Sequence, residues 1–100
     1  YTQESVCGPQ VFYYETSKDG KKLAEILQES LNQKLQIDRP REIKANDTYY
    51  ILKKTEIPTV IAECGFLSNW DESSRLNSAD YQDRLAWTLH MGILKYLNTQ

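Results

Sequence analysis

The sequence predicts an α/β chain, a mixed or parallel sheet flanked by helices, and three observations carry that reading. Val60, Ile61 and Ala62 are apolar in succession rather than alternately, the pattern of a strand covered on both faces, as a central strand is. Val11-Phe12-Tyr13-Tyr14 is a β-branched and aromatic run entered through Gly8-Pro9, which reads as a second strand. Two longer stretches carry their apolar residues at helical spacing.

The elements follow in order. Tyr1 to Ser5 is a polar entry, and the strand at Val11 to Tyr14 comes after the Gly8-Pro9 break. From Thr16 to Gln36 the residues Leu23, Ile26, Leu27, Leu31 and Leu35 recur at helical intervals, with Thr16, Ser17 or Asp19 as N-cap. Lys21, Lys22, Glu25, Glu29 and Lys34 make the opposite, solvated face. Pro40 fixes a turn, Arg41 to Thr48 reads as a polar connection, and Tyr49 to Leu52 as a short strand leading to the strand at Thr59 to Ala62. Residues 69–77 suit a loop with one helical turn. A last helix, capped by Asn77 or Ser78, runs to about Asn98 with Tyr81, Leu85, Leu89, Gly92, Ile93 and Tyr96 as its core stripe. Trp87, Met91 and Leu94 form a second stripe at i, i+4, i+7, so this helix is expected to be covered on that side by more protein.

Composition excludes several functions. One hundred residues, 40% of them hydrophobic, make one small domain or a piece of a larger one. A net charge of −2 without a Lys/Arg cluster offers no surface for nucleic acid. No apolar run approaches the ~18 residues of a membrane span, and no signal peptide is visible. Cys7 and Cys64 are too few and too distant for a disulfide framework or a metal knuckle and read as free thiols.

The chemistry concentrates at Glu63, where an apolar strand delivers one carboxylate to the turn at Gly65. In open α/β sheets ligands bind at the carboxyl ends of strands, which places Glu63 at a site. The structural alternative is a carboxylate paired with a basic side chain. A Cys64 nucleophile with His90 as base is a weaker enzyme reading, since a lone helical His is ordinarily a packing or surface residue.

The run Pro58-Thr-Val-Ile-Ala-Glu-Cys-Gly-Phe-Leu-Ser-Asn69, followed by Glu72, Leu76, Tyr81-Gln82 and Leu85-Ala86, resembles the closing part of the zinc-dependent N-acetylmuramoyl-L-alanine amidases, the amidase type 3 family. Gly8 to Tyr14 resembles that family's G-x-x-V-x-Y-Y strand, and Tyr49 to Lys53 the strand before its Glu motif. The wording from Glu63 to Asn69 is nearest the spore-cortex, CwlD-like branch.

The resemblance implies that residues 1–100 are the C-terminal portion of a larger single-domain amidase fold. It implies cleavage of the amide between N-acetylmuramic acid and L-alanine in peptidoglycan, in the extracytoplasmic envelope or forespore cortex, during muramic-δ-lactam formation. Glu63 takes the role of catalytic proton shuttle, and zinc is held by two histidines and a glutamate upstream of this chain, so the isolated hundred residues are expected to be inactive. Arg41, Lys44, Asn46 and Asn69 are the substrate-binding candidates. The Trp87, Met91 and Leu94 face is expected to meet the upstream half or another protein chain. The rival from another class is a non-catalytic binding or assembly module of the cell envelope.

Overall fold

The computed structural model describes residues 8–35, 37, 39–64 and 78–100. Its elements run β1 (Gln10–Tyr14), α1 (Lys18–Lys34), β2 (Lys44–Asn46), α2 (Tyr50–Lys53), β3 (Val60–Glu63) and α3 (Ala79–Asn98). The three strands form one mixed sheet in the order β2-β1-β3, with β2 parallel and β3 antiparallel to β1. The α/β class is therefore as the sequence predicts.

Two local expectations are corrected. Tyr49 to Leu52 is not a strand: Tyr50–Lys53 is a single helical turn, and the middle strand of the expected order is instead Lys44–Asn46, inside the stretch read as a polar connection. Asn46 is the physical reason, because its Oδ1 accepts hydrogen bonds from the backbone N–H of Thr48 and of Tyr49, both at 2.8 Å, and turns the chain out of the sheet. Nor is Val60–Glu63 central among the described strands. Among them it is an outer one, every residue half-buried, and β1 is paired on both edges.

Both long helices lie on one face of the sheet. Antiparallel partners share a face, so Val11 with Ala62 and Tyr13 with Val60 point one way, toward Ala24, Leu27, Leu31, Leu35 and Leu85 of the core. Ser17 caps α1 by accepting from the Gly20 N–H at 2.9 Å, and Ser78 caps α3 through the Tyr81 N–H. The two helices approach closely at Gly92, where a Cβ would lie 2.6 Å from Leu27 Cδ2. Ile93, assigned to the core stripe by its spacing, is exposed instead, because the buried arc of α3 is centred on Leu85, Thr88, Gly92 and Tyr96. The other sheet face carries Gln10, Phe12, Tyr14, Ile61 and Glu63. α2 covers part of it, with Tyr49 edge-on to Phe12 at 5.6 Å between ring centroids and Leu52 buried.

Gln28 is a polar residue inside this core, 3% exposed. Its Oε1 accepts from the Val11 N–H at 2.8 Å and its Nε2 donates to the Pro9 carbonyl at 3.0 Å. β2 begins only opposite Phe12, so the carboxamide serves the start of β1 as a missing strand would.

Candidate active site

Glu63 ends β3, as expected. Because β3 runs antiparallel to β1, this end lies beside the beginning of β1, with Glu63 directly opposite Gln10. Opposed residues in such a pair hold their Cβ atoms about 5 Å apart on one face. Glu63 therefore stands on the face turned away from α1 and α3, half-buried, its carboxylate without a hydrogen bond or ion pair to another described residue. The alternative in which it neutralises a basic side chain finds no partner among the described residues. A half-buried carboxylate at a strand end, not consumed by structural bonds, is suited to accept and return a proton.

Gln10 is the neighbour that sequence reasoning missed. Only 3% exposed, it donates from Nε2 to the Glu42 carbonyl at 2.6 Å and accepts at Oε1 from Arg41 Nε at 2.9 Å. Asn32 of α1 donates to the Arg41 carbonyl at 2.9 Å, and Gln28 donates to Asn32 Oδ1. This chain of amides ties the segment before β2 to the start of β1, next to Glu63. The available signal was a polar residue breaking into an apolar strand, which at a sheet end means a bonded side chain rather than an exposed one.

The substrate-binding candidates separate. Arg41 joins the Glu63 end through Gln10. Lys44 pairs with Phe12, which stands opposite Ile61, so it occupies the same sheet face one row further on and is exposed. Asn46 pairs with Tyr14 at the far end, about 13 Å along β1 from Gln10 at ~3.3 Å per residue. Its Oδ1 is already engaged by Thr48 and Tyr49. Asn69 lies outside the described residues, as does Cys7.

Cys64 turns to the other side and packs against the helical core. Burial pushes its thiol above the ordinary range, which disfavours the thiolate a nucleophile needs. His90 is exposed on α3, its ring 5.9 Å from that of Trp87. The structure does not bring Cys64 and His90 together. Among the described residues no three His, Cys, Asp or Glu side chains gather as a metal site.

On α3, Trp87 is 64% exposed, with Met91 and Leu94 also open, so the expected cover for this stripe does not come from the described residues. A groove of 380 Å³ runs beside it, floored by Trp87, Thr88 and Met91 and edged by Lys34 and Lys95. No helix is long and apolar enough to cross a membrane, among the described residues.

A mixed sheet with two helices on one face, and a strand ending in Glu63 beside the start of β1, defines an amidase-type α/β domain. The chain belongs to the N-acetylmuramoyl-L-alanine amidase family known as amidase type 3, whose pattern it matches over residues 1–95. It is 34% identical over 89 residues to the germination-specific N-acetylmuramoyl-L-alanine amidase of Bacillus subtilis, covering 89% of this chain and 37% of that protein. It is 33% identical over 87 residues to the amidase LytC of the same organism, covering 84% of this chain and 17% of the relative. The CwlD amidase of Clostridioides difficile, solved in complex with the GerS lipoprotein, superposes with a TM-score of 0.96 at 39% identity, over 100% of this chain and 51% of that one. The chain thus spans about half or less of these relatives.

Proposed function

We propose that the complete protein is a peptidoglycan hydrolase, an N-acetylmuramoyl-L-alanine amidase acting outside the cytoplasm, and that Glu63 is its catalytic proton carrier. The observation that supports this most directly is Glu63 itself, at the end of β3 within a family-matching motif and uncommitted to any described side chain. In this reading Glu63 accepts a proton from the attacking water and delivers it to the leaving nitrogen of L-alanine. Zinc, which would polarise the carbonyl, is proposed to be held by residues outside these hundred. The germination-specific relative and the likeness to CwlD support a role in spore-cortex maturation. CwlD was solved with a lipoprotein bound, and we propose a protein partner, or the remainder of the same protein, for the Trp87, Met91 and Leu94 face.

The deciding experiment is Glu63→Gln in the complete protein. Gln keeps the shape and cannot take the proton, so turnover on muropeptides falls by roughly two orders of magnitude or more while zinc content stays near normal. Near-normal turnover would return Glu63 to a structural role, and loss of zinc would make it a ligand. A wild-type protein that binds peptidoglycan without cutting it would instead support the binding-module reading.

A further inference from the structure

We propose that the groove between α1 and α3 is a docking site for a second, different protein, one that lays an amphipathic helix along the Trp87 stripe and brings carboxylates to Lys34 and Lys95. The inference takes up the partner reading of that face and does not depend on the amidase chemistry. It starts from helical geometry. At ~3.6 residues per turn, Trp87, Met91, Leu94 and Leu97 fall on the arc of α3 opposite the buried Leu85, Gly92 and Tyr96, and all four are exposed among the described residues. From Trp87 to Leu97 the stripe runs about 15 Å at ~1.5 Å per residue, roughly three helical turns. An amphipathic helix presents an apolar face of that length through anchors spaced i, i+3, i+4 and i+7. The groove of 380 Å³ beside the stripe, walled on the α1 side by Ser30, Gln33 and Lys34, gives such anchors a place to enter.

Position and charge choose the occupant. The buried arc of α3 is turned to α1 and the core, so the stripe points away from both. Further strands would lengthen the sheet and further helices would cover its other face, and neither reaches the outside of α3. A cover from the same domain would have to add a layer beyond the helices, whereas domains are built of two or three layers. Lys34 and Lys95 stand at the groove's edge, exposed, neither side chain bonded or ion-paired to a described residue. Among the described residues no carboxylate lines this groove: Glu25 and Glu29 line the groove on the other side of α1, and Asp80 pairs with Arg84. Two free cations beside an apolar stripe fit a partner that is apolar at its centre and acidic at its rim. A second copy of this chain fits worse, because a two-fold pairing of this face would bring the same two lysines to the contact from each side.

The test uses the complete protein and two synthetic amphipathic helical peptides with the same leucine face, one flanked by glutamates and the other by lysines. Calorimetry gives the affinities, and hydroxyl-radical footprinting reads Trp87 and Met91 one by one. In the free protein both side chains are oxidised. The glutamate-flanked peptide binds about tenfold more tightly than the lysine-flanked one, the gain expected of two exposed ion pairs, and protects both residues. Lys34→Glu combined with Lys95→Glu, which removes no bond to a described residue, reverses the preference, and raising salt from 50 to 500 mM narrows it in the wild type. Equal binding of the two peptides, or binding of neither, overturns the proposal. So does protection of Trp87 and Met91 in the free monomer, which would assign the cover to the rest of the chain, or in a sedimenting dimer, which would assign it to a second copy. Failure of the wild type to cut muropeptides would sink the amidase reading alone and leave these binding results standing.

Discussion

Glu63 and Cys64 are adjacent in sequence and opposite in consequence. One stands on the sheet's outer face with no described partner, while the other is turned into the core, where burial raises its thiol. The sign of that shift makes a statement about pH. A thiol held above its ordinary value stays protonated until the solution passes the raised value, so its alkylation lags behind that of an unfolded cysteine throughout the neutral and mildly alkaline range. Iodoacetamide labelling of Cys64, followed by peptide mass spectrometry between pH 7 and 9, is expected to be several-fold slower in the native protein than in urea. Cys64→Ala is expected to retain muropeptide hydrolysis in the complete enzyme, and its loss would revive the thiol mechanism. The position of Glu63 at a strand end was legible because an unbroken apolar run leading into a glycine reads as a strand and its exit. Gln10 was not legible, since its importance arises from pairing with residues 31 and 53 positions away, Arg41 and Glu63.

Elements with strong periodicity or clear caps were readable in advance. β1, both long helices and the Ser17 and Ser78 caps agree with the structure, because each is set by residues within one or two turns of itself. β2 and α2 were not readable. A three-residue strand of Lys, Ala and Asn has no hydrophobic signature, and the aromatic and aliphatic run at Tyr49 to Leu52 favours a strand by propensity until Asn46 redirects it. The element boundaries also identify which substitutions are felt. Gln28→Leu removes the acceptor for Val11 N–H and the donor for the Pro9 carbonyl, leaving two buried backbone groups unpaired, and is expected to cost about 2 kcal/mol or more by denaturant melt of the complete protein. Gly92→Ala forces Leu27 Cδ2 to move, and the roughly 1 kcal/mol by which Ala favours the helix over Gly offsets part of that cost, so a net loss of about 1 kcal/mol is expected in the same assay. A result within ~0.5 kcal/mol of wild type would show that the α1–α3 contact is looser than its geometry.

For the whole molecule, among the described residues the outer stripe of α3 lies open while the sheet face of Glu63 is partly covered by α2. A small domain has only about 5–15 kcal/mol of net stability, and burying Trp87, Met91 and Leu94 would contribute several kcal/mol of that at ~25 cal/mol per Å². Expressed alone, residues 1–100 are expected to melt broadly or self-associate in sedimentation. Trp87→Ala in the complete protein is expected to lower stability by about 3 kcal/mol without changing substrate choice. A sharp melt from a clean monomer with Trp87 in water would show that the stripe needs no cover.

The sheet order β2-β1-β3 also ranks the strands by how readily each lets water reach its amides. β1 is hydrogen-bonded on both edges and further clamped at Val11 by Gln28, whereas β2 holds three residues and β3 four. Opening β1 requires the others to leave first. Its amides should therefore exchange with deuterium only through global unfolding, while those of β2 and β3 exchange through smaller local openings. The slowest hydrogens of the sheet would then report on the stability of the whole, and the faster ones beside Glu63 on how easily the site opens.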